Sequence, residues 1–179
     1  MHRYLFLAFA FVFLSDTTSK AQQPYAGLQA RPIKALSEQQ IADLKQGRGM
    51  GLALAAELNG YPGPVHLLEL SDQIGVSDQQ RAEIAGLFES MKGETIPLGE
   101  KLLSLEADLD TQFKNHTITT DSLKAATATI GETQAALRNT HLKYHLSTVA
   151  LLTPSQIKRY EELRGYSTGG REDHQEMHH

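Results

Sequence analysis

Hydrophobic positions recur at helical spacing along almost the whole chain, and no segment alternates for long enough to predict a strand. A first helix is predicted over 37–46 and ends at the glycines on either side of Arg48. A short helix rich in alanine and leucine follows over 50–58. Pro64 is well placed as the first residue of a third helix, which we expect to reach Ile74. The pattern therefore predicts an all-α protein.

Two much longer helices are predicted over 77–114 and 120–151, the first of them about 55 Å long. Pro97 lacks a backbone donor, so we expect the first to kink near it. Both carry apolar seams of heptad type. The seam positions are Ile84, Phe88, Met91, Thr95, Leu98, Leu102, Leu105 and Leu109 in the first helix, and Leu123, Ile130, Leu137, Tyr144 and Leu151 in the second. With a last helix over 154–164, the pattern predicts an elongated antiparallel hairpin or bundle, covered by the short helices and by a second copy in a dimer.

The N-terminus has the pattern of a secretory signal: a basic start at Arg3, an apolar run from Tyr4 to Leu14, and small residues before Ala21. The run is far shorter than the roughly 20 residues that cross a bilayer, although an uncleaved anchor is the alternative. We expect cleavage near Ala21, a periplasmic location, and no stable membrane insertion afterwards. The predicted organisation is a signal peptide over 1–21, an extended polar leader over 22–36, one helical domain over 37–165, and a disordered histidine-rich tail over 166–179.

Composition and charge exclude several classes of function. The chain has no cysteine, so disulfides and thiolate chemistry are excluded. Its formal charge of −4 becomes −5 without residues 1–21, which carry two basic side chains and one acidic side chain. Nucleic-acid binding needs a clustered basic face, so we expect no such partner. The chain also lacks a nucleophile elbow, a phosphate-binding glycine loop and a His-Glu-x-x-His run, so we expect no enzymatic activity.

One local pattern occurs three times, at 36–40, 76–80 and 152–156. Each copy has an apolar residue, then a serine or a threonine, then a glutamine three positions after that hydroxyl residue. This is the capping box, in which the hydroxyl and the glutamine satisfy backbone amides at a helix start. Taken alone, the pattern predicts three helix N-termini.

Leucine-threonine-x-x-glutamine is also the motif of the Spy/CpxP family of periplasmic chaperones and their metal-sensing relatives, which the chain resembles over about 64–165. The full match is Leu152, Thr153 and Gln156, and a conservative variant at the head of the long helix is Val76, Ser77 and Gln80. The segment 49–66 is similar to members described as heavy-metal sensors or refolding chaperones.

The resemblance implies a bent helical subunit that pairs into a cradle-like homodimer. In the chaperone branch the cradle holds unfolded client proteins without ATP, and in the sensor branch a similar dimer binds a transition metal and signals to a membrane-bound partner. Those chaperones are rich in basic residues, whereas this chain is slightly acidic. We expect an envelope-stress chaperone with no required cofactor. Met50, Leu52, Leu54 and Leu58 are candidates for its apolar patch, although we expect most of them to be buried. The alternatives are a heavy-metal sensor or buffer and a structural adaptor.

Two groups of residues are candidates for binding Zn, Cu or Ni. His141 and His145 lie four apart on one helix face, and His66 with Glu69 is the natural pair to complete a site. The alternative is that the two helical histidines only cap the edge of the core. The tail offers His174, His178 and His179, which bind such metals loosely in any protein, unless they are the remnant of a purification tag.

Overall fold

The computed structural model describes residues 24–167, and these residues form helices and turns without any strand. The helices are α1 (Glu38–Lys45), α2 (Leu54–Glu57), α3 (Pro64–Glu69), α4 (Ser71–Ile74), α5 (Asp78–Lys114), α6 (Thr120–Val149) and α7 (Pro154–Arg164), preceded by a 3-10 turn over Leu28–Ala30. The predicted signal peptide and most of the predicted histidine-rich tail lie outside the described residues. Within residues 24–167, no helix combines the length and the hydropathy that crossing a membrane requires.

The two long helices, α5 and α6, form the predicted hairpin and share the largest interface of the molecule. Most of the seam is buried as predicted, for example Ile84, Leu102, Leu137 and Tyr144. Leu123 was expected in the seam but is exposed. It lies in the first turn of α6, beside the hairpin connection, where a helix end has few neighbours.

Two apolar clusters surround this hairpin. The first joins α1 to the middle of α5 and α6 and contains Ile33, Leu44, Leu102, Leu103, Ile130 and Leu137. The second lies where α3, α4 and α7 meet the start of α5 and contains Leu67, Ile74, Val76, Ile84 and Tyr160. The short helices therefore cover the hairpin at two separate places.

Helix α1 approaches α5 closely because glycines remove side chains at the contact. A Cβ on Gly99 would lie 2.4 Å from the carbonyl oxygen of Leu44. A Cβ on Gly47 would lie 2.5 Å from the Thr95 hydroxyl, and Gly47 also has a φ of +65°. The predicted break after the first helix is therefore confirmed, and it also provides the close packing of α1 on α5.

The structure differs from the sequence prediction in three of the shorter segments. Residues 50–53 are not helical, because Met50 and Gly51 both have positive φ, so α2 is a single turn. The helix expected from Pro64 to Ile74 is two helices that meet at Leu70.

The polar leader also differs from its prediction. Residues 24–36 are folded into turns rather than extended, and Ile33 in that segment is buried in the first apolar cluster. An apolar side chain in an otherwise polar stretch thus attaches the leader to the hairpin, since burying it is favourable.

Candidate functional site

A cleft of about 190 Å³ lies between α2, α3 and α6, and we call it the histidine cleft. Its lining includes His66, His141 and His145, three of the four residues predicted for a metal site on the described part of the chain. It also includes Glu57 and Met50. The fold therefore brings the predicted histidines to one place.

The ring of His145 is fixed on both sides. Its Nδ1 lies 2.6 Å from the carbonyl oxygen of Tyr61, so Nδ1 carries the proton and donates it. The Cε1–Nε2 edge of the ring faces Gly63, where a Cβ would lie 2.8 Å from both of these atoms. A side chain at position 63 would therefore collide with the histidine, and the Tyr61–Gly63 turn holds this ring in one orientation.

His141 is the only residue of 24–167 whose buried side-chain polar atom, Nε2, has no hydrogen-bond partner within that range. Its residue is 3% exposed. Burial, and then the neighbouring His145, lower the pKa of His141 from 6.5 to about 4. His141 is therefore neutral at pH 7, with its ring buried beside the histidine cleft.

Glu57, on α2, is a buried carboxylate at the floor of this region and was not predicted from the sequence. It accepts hydrogen bonds from the Tyr160 hydroxyl, from the Tyr166 hydroxyl at 3.3 Å and from the Gly63 amide at 3.2 Å. The Arg164 guanidinium lies 3.8 Å away. Burial and the bond to Glu57 raise the pKa of Tyr160. The sequence signal was a lone carboxylate within the apolar stretch 52–58, where α2 is tied to α7.

His66 and Glu69 form their own pair, with 3.0 Å between Nδ1 and a carboxylate oxygen. Glu69 does not line the cleft. Among residues 24–167, no group of three or more histidine, aspartate or glutamate side chains lies close enough together to hold one metal ion. His174, His178 and His179 lie outside the described residues.

Beside the cleft lies a row of large apolar side chains that face solvent, which we call the apolar belt. Its members and their exposed fractions are Met50 40%, Leu54 53%, Leu58 55%, Tyr61 39% and Leu146 58%. Met50 and Leu54 line the histidine cleft, and Leu58 follows Leu54 by one helical turn. Tyr61 and Leu146 line a shallow apolar depression of about 270 Å³ on the other side of α2. These five are most of the eight exposed large hydrophobic side chains in 24–167, so the exposed apolar side chains are concentrated around α2 and the part of α6 beside it.

The motif glutamines do more than cap their own helices. All three predicted capping boxes form, at Ser37, Ser77 and Thr153, and a fourth at Thr119 starts α6. The side-chain amides of Gln80 and Gln156 also donate to each other, at 3.0 Å in both directions.

Each of these two amides has a further backbone acceptor. Gln80 donates to the carbonyl of Leu151 at 2.7 Å, and Gln156 donates to that of Gly75 at 3.0 Å. The two motifs are therefore joined into one polar contact that fixes the start of α7 against the start of α5. Val76 and Leu152, their apolar residues, pack in the second cluster.

Comparisons of this chain with protein-family models, with curated proteins and with solved structures found no match.

Proposed function

We propose that the protein is an ATP-independent, chaperone-like protein of the periplasm that binds unfolded or partner proteins through the apolar belt. The observation that carries the proposal is the concentration of exposed apolar side chains around α2 and α6. Contiguous exposed apolar surface on a soluble protein is typical of sites that bind other proteins. The proposal involves no catalytic step and no cofactor.

The belt suits a client without a fixed sequence because it is both adaptable and held in place. Met50 has an unbranched, polarisable side chain that adapts to irregular apolar surfaces. The turn that carries Met50 and Gly51 has positive φ at both residues, which presents the side chain away from the helical path. Glu57 accepts a hydrogen bond from Tyr160 and so holds α2 against α7, which keeps the belt in position when no client is bound. Binding would rest on apolar contact rather than on charge, in keeping with the acidic net charge of the chain.

Export, removal of residues 1–21 and pairing into a cradle-like homodimer belong to the same proposal. They rest on the N-terminal pattern and on the likeness to the Spy/CpxP family. Protection of clients by a dimer would place two belts on one particle, which would increase avidity for a long unfolded segment.

The test is suppression of client aggregation by the full chain, expressed with its own N-terminal segment, followed by light scattering without ATP and with EDTA. A belt variant carries Leu54→Ser, Leu58→Ser and Leu146→Ser. A matched control carries Tyr25→Ser, Phe113→Ser and Leu123→Ser, which removes the three exposed hydrophobic side chains that lie off the belt. We expect protection near a stoichiometric ratio, lost in the belt variant and retained in the control. Equal loss in both variants, or no protection by the folded parent, would contradict the proposal.

The second candidate function is binding of a divalent transition metal, as a heavy-metal sensor or buffer. The observation in its favour is the unpaired Nε2 of His141 in a cleft shared with His145 and His66. In this proposal the tail histidines His174, His178 and His179 supply further ligands. Calorimetric titration with zinc and nickel should then show binding by the full chain that is lost both on truncation after residue 167 and in His141→Leu. Loss on truncation alone would mean loose chelation by the tail and would remove the cleft from the site.

A further inference from the structure

A larger groove lies on the other side of Met50, between α1 and α6, with α5 as its floor. Its volume is about 490 Å³, within the range of roughly 300–1,000 Å³ that is usual for small-molecule sites. The buried side chains of Leu44, Leu102 and Leu137 line its base. The groove thus extends down to the first apolar cluster.

The groove is open because one face of α6 has small or polar side chains where it passes α1. This face consists of Gly131, Gln134, Ala135 and Arg138, at positions i, i+3, i+4 and i+7 of the helix. A Cβ built on Gly131 would have no atom within 4 Å outside its own helix neighbourhood. The space therefore comes from missing side-chain volume and not from a loose helix.

Its polar side chains are few: Gln40 lies on the α1 wall, and the other two lie on the α6 wall. Gln134 and Arg138 stand one turn apart on α6, and Arg138 is the one charged residue of the lining. Elsewhere in the molecule Arg48, Arg81, Arg159 and Arg164 each have a carboxylate within 4 Å. Among residues 24–167, neither Arg31 nor Arg138 has one, and Arg138 is exposed at the rim of the groove. An apolar groove with an unneutralised guanidinium at its wall is complementary to an apolar chain that ends in an anion.

We propose that this groove binds a medium-chain fatty acid, with the alkyl chain along Leu44, Leu102 and Leu137 and the carboxylate on Arg138. The site is distinct from the apolar belt, with which it shares only Met50, and it does not depend on the function proposed above. An alkyl chain fits because binding removes its apolar surface, and that of the leucine side chains, from contact with water. A carboxylate fits the planar guanidinium by paired hydrogen bonds.

The experiment is calorimetric titration of the full chain with monomeric dodecanoate, and with dodecyltrimethylammonium as a ligand of equal chain length and opposite charge. We expect dodecanoate to bind at one site and to bind at least about tenfold more tightly than the cation, in keeping with a charge-assisted hydrogen bond. Arg138→Gln should weaken dodecanoate binding about tenfold, and Arg138→Glu should reverse the preference between the two ligands. Equal affinities of the parent for both amphiphiles would overturn the proposal.

Filling the groove gives a second, independent test. Gly131→Leu places a side chain in the open space and should abolish dodecanoate binding. Gly93→Leu is the matched control, since Gly93 also lies in a long helix and its Cβ would also meet open space, but it does not line the groove. Both substitutions remove a helical glycine and should leave the protein folded. Retained binding in Gly131→Leu, or equal loss in Gly93→Leu, would contradict the assignment.

Two other occupants are distinguished by the same variants. If dodecanoate fails to bind and Gly131→Leu instead changes the sedimentation coefficient, the groove is an interface between copies of this chain, and the proposal is wrong. If phosphatidylglycerol vesicles bind the parent and Gly131→Leu equally while free dodecanoate does not bind, the protein adsorbs to lipid surfaces by another route. That result would also overturn the proposal.

Discussion

Polar side chains at the start of α7 are hydrogen-bonded within the protein, whereas apolar side chains on the flank of α2 face solvent. At the start of α7, Gln80 and Gln156 use both amide donors and their carbonyl oxygens on partners within the protein. On the flank of α2, Leu54, Leu58 and Leu146 are more than half exposed. Polar groups are thus fully paired where the helices must be fixed, and apolar groups are left without partners on the adjacent surface. The difference suggests that the first region provides rigidity and the second provides binding.

Glu57 joins the flank of α2 to the middle and end of α7, and replacing it should have the largest effect on stability. Glu57→Ala removes the acceptor of Tyr160 and of the Gly63 amide, and leaves Arg164 without its buried partner. We expect the free energy of unfolding to fall by about 4 kcal/mol, the usual cost of breaking a buried charged pair. Urea denaturation measures it. The control Glu162→Ala removes an exposed pair with Arg159 and should change stability by less than about 0.5 kcal/mol.

If the two Glu variants were equally stable, the contacts of Glu57 would not join α2 to α7 in solution.

The pH dependence of stability should show the burial of His141. Its folded pKa of about 4 lies below its ordinary value of 6.5, so the unfolded chain takes up a proton first as the pH falls. This contribution to stability is complete above pH 6.5 and is lost as the pH falls to about 4. Since one pKa unit corresponds to about 1.4 kcal/mol, we expect a decrease of about 3 kcal/mol from this group.

Urea titrations between pH 7 and pH 4 in EDTA measure this decrease. In His141→Leu that part of the pH dependence should disappear. The control His116→Asn replaces an exposed histidine whose φ of +55° asparagine tolerates. It should leave the pH dependence of stability unchanged. A parent profile as flat as that of His141→Leu would contradict the burial of a neutral imidazole.

A double-mutant cycle tests whether the two motif glutamines act together. Gln80→Ala and Gln156→Ala should each cost about 2 kcal/mol, with a coupling of about 1 kcal/mol because they share two hydrogen bonds. Gln40 belongs to the same kind of capping box but bonds only to the Ser37 amide. Gln40→Ala should therefore cost less than about 1 kcal/mol. A coupling near zero would reduce the motif to two independent helix caps.

The smallest expected effect is on the flank itself. Leu58→Ser should change the free energy of unfolding by less than about 0.5 kcal/mol, since the side chain is already exposed. Leu67→Ala, in the fully buried second cluster, should cost about 3 kcal/mol. Thermal unfolding of both variants gives the contrast directly. A large loss of stability in Leu58→Ser would mean that the belt supports the fold and is not a free surface.

Much of the fold could be predicted from local signals, because the long helices have strong periodicity and explicit caps. Ser77 and Thr153 mark two helix starts, and Ile84 and Leu137 follow the seam. The pairing of Gln80 with Gln156 could not be predicted, since it depends on how α7 returns to α5. Nor could the burial of Glu57, which needs Tyr160 and Arg164 from more than 100 residues away in the sequence.

The site was predicted in part. His66, His141 and His145 all line one cleft. Helical spacing placed only His141 and His145 on one face, and the environment of each ring depends on turns that the periodic pattern does not describe. Most of Met50, Leu52, Leu54 and Leu58 were expected to be buried. That expectation was wrong, since Met50 is 40%, Leu54 53% and Leu58 55% exposed. The residues around them were also predicted to be one regular helix. The positive φ of Met50 breaks that helix and helps to keep these side chains at the surface.

The most direct test of the proposed function is site-specific photo-crosslinking to an unfolded client. A photoreactive phenylalanine analogue is placed at Leu58 in the belt, and at Leu123 near the hairpin connection as the control; both positions are exposed. We expect client crosslinks from position 58 and none above background from position 123. An excess of unlabelled client should remove the crosslinks from position 58. Crosslinks from position 123 without crosslinks from position 58 would contradict the assignment of client binding to the apolar belt.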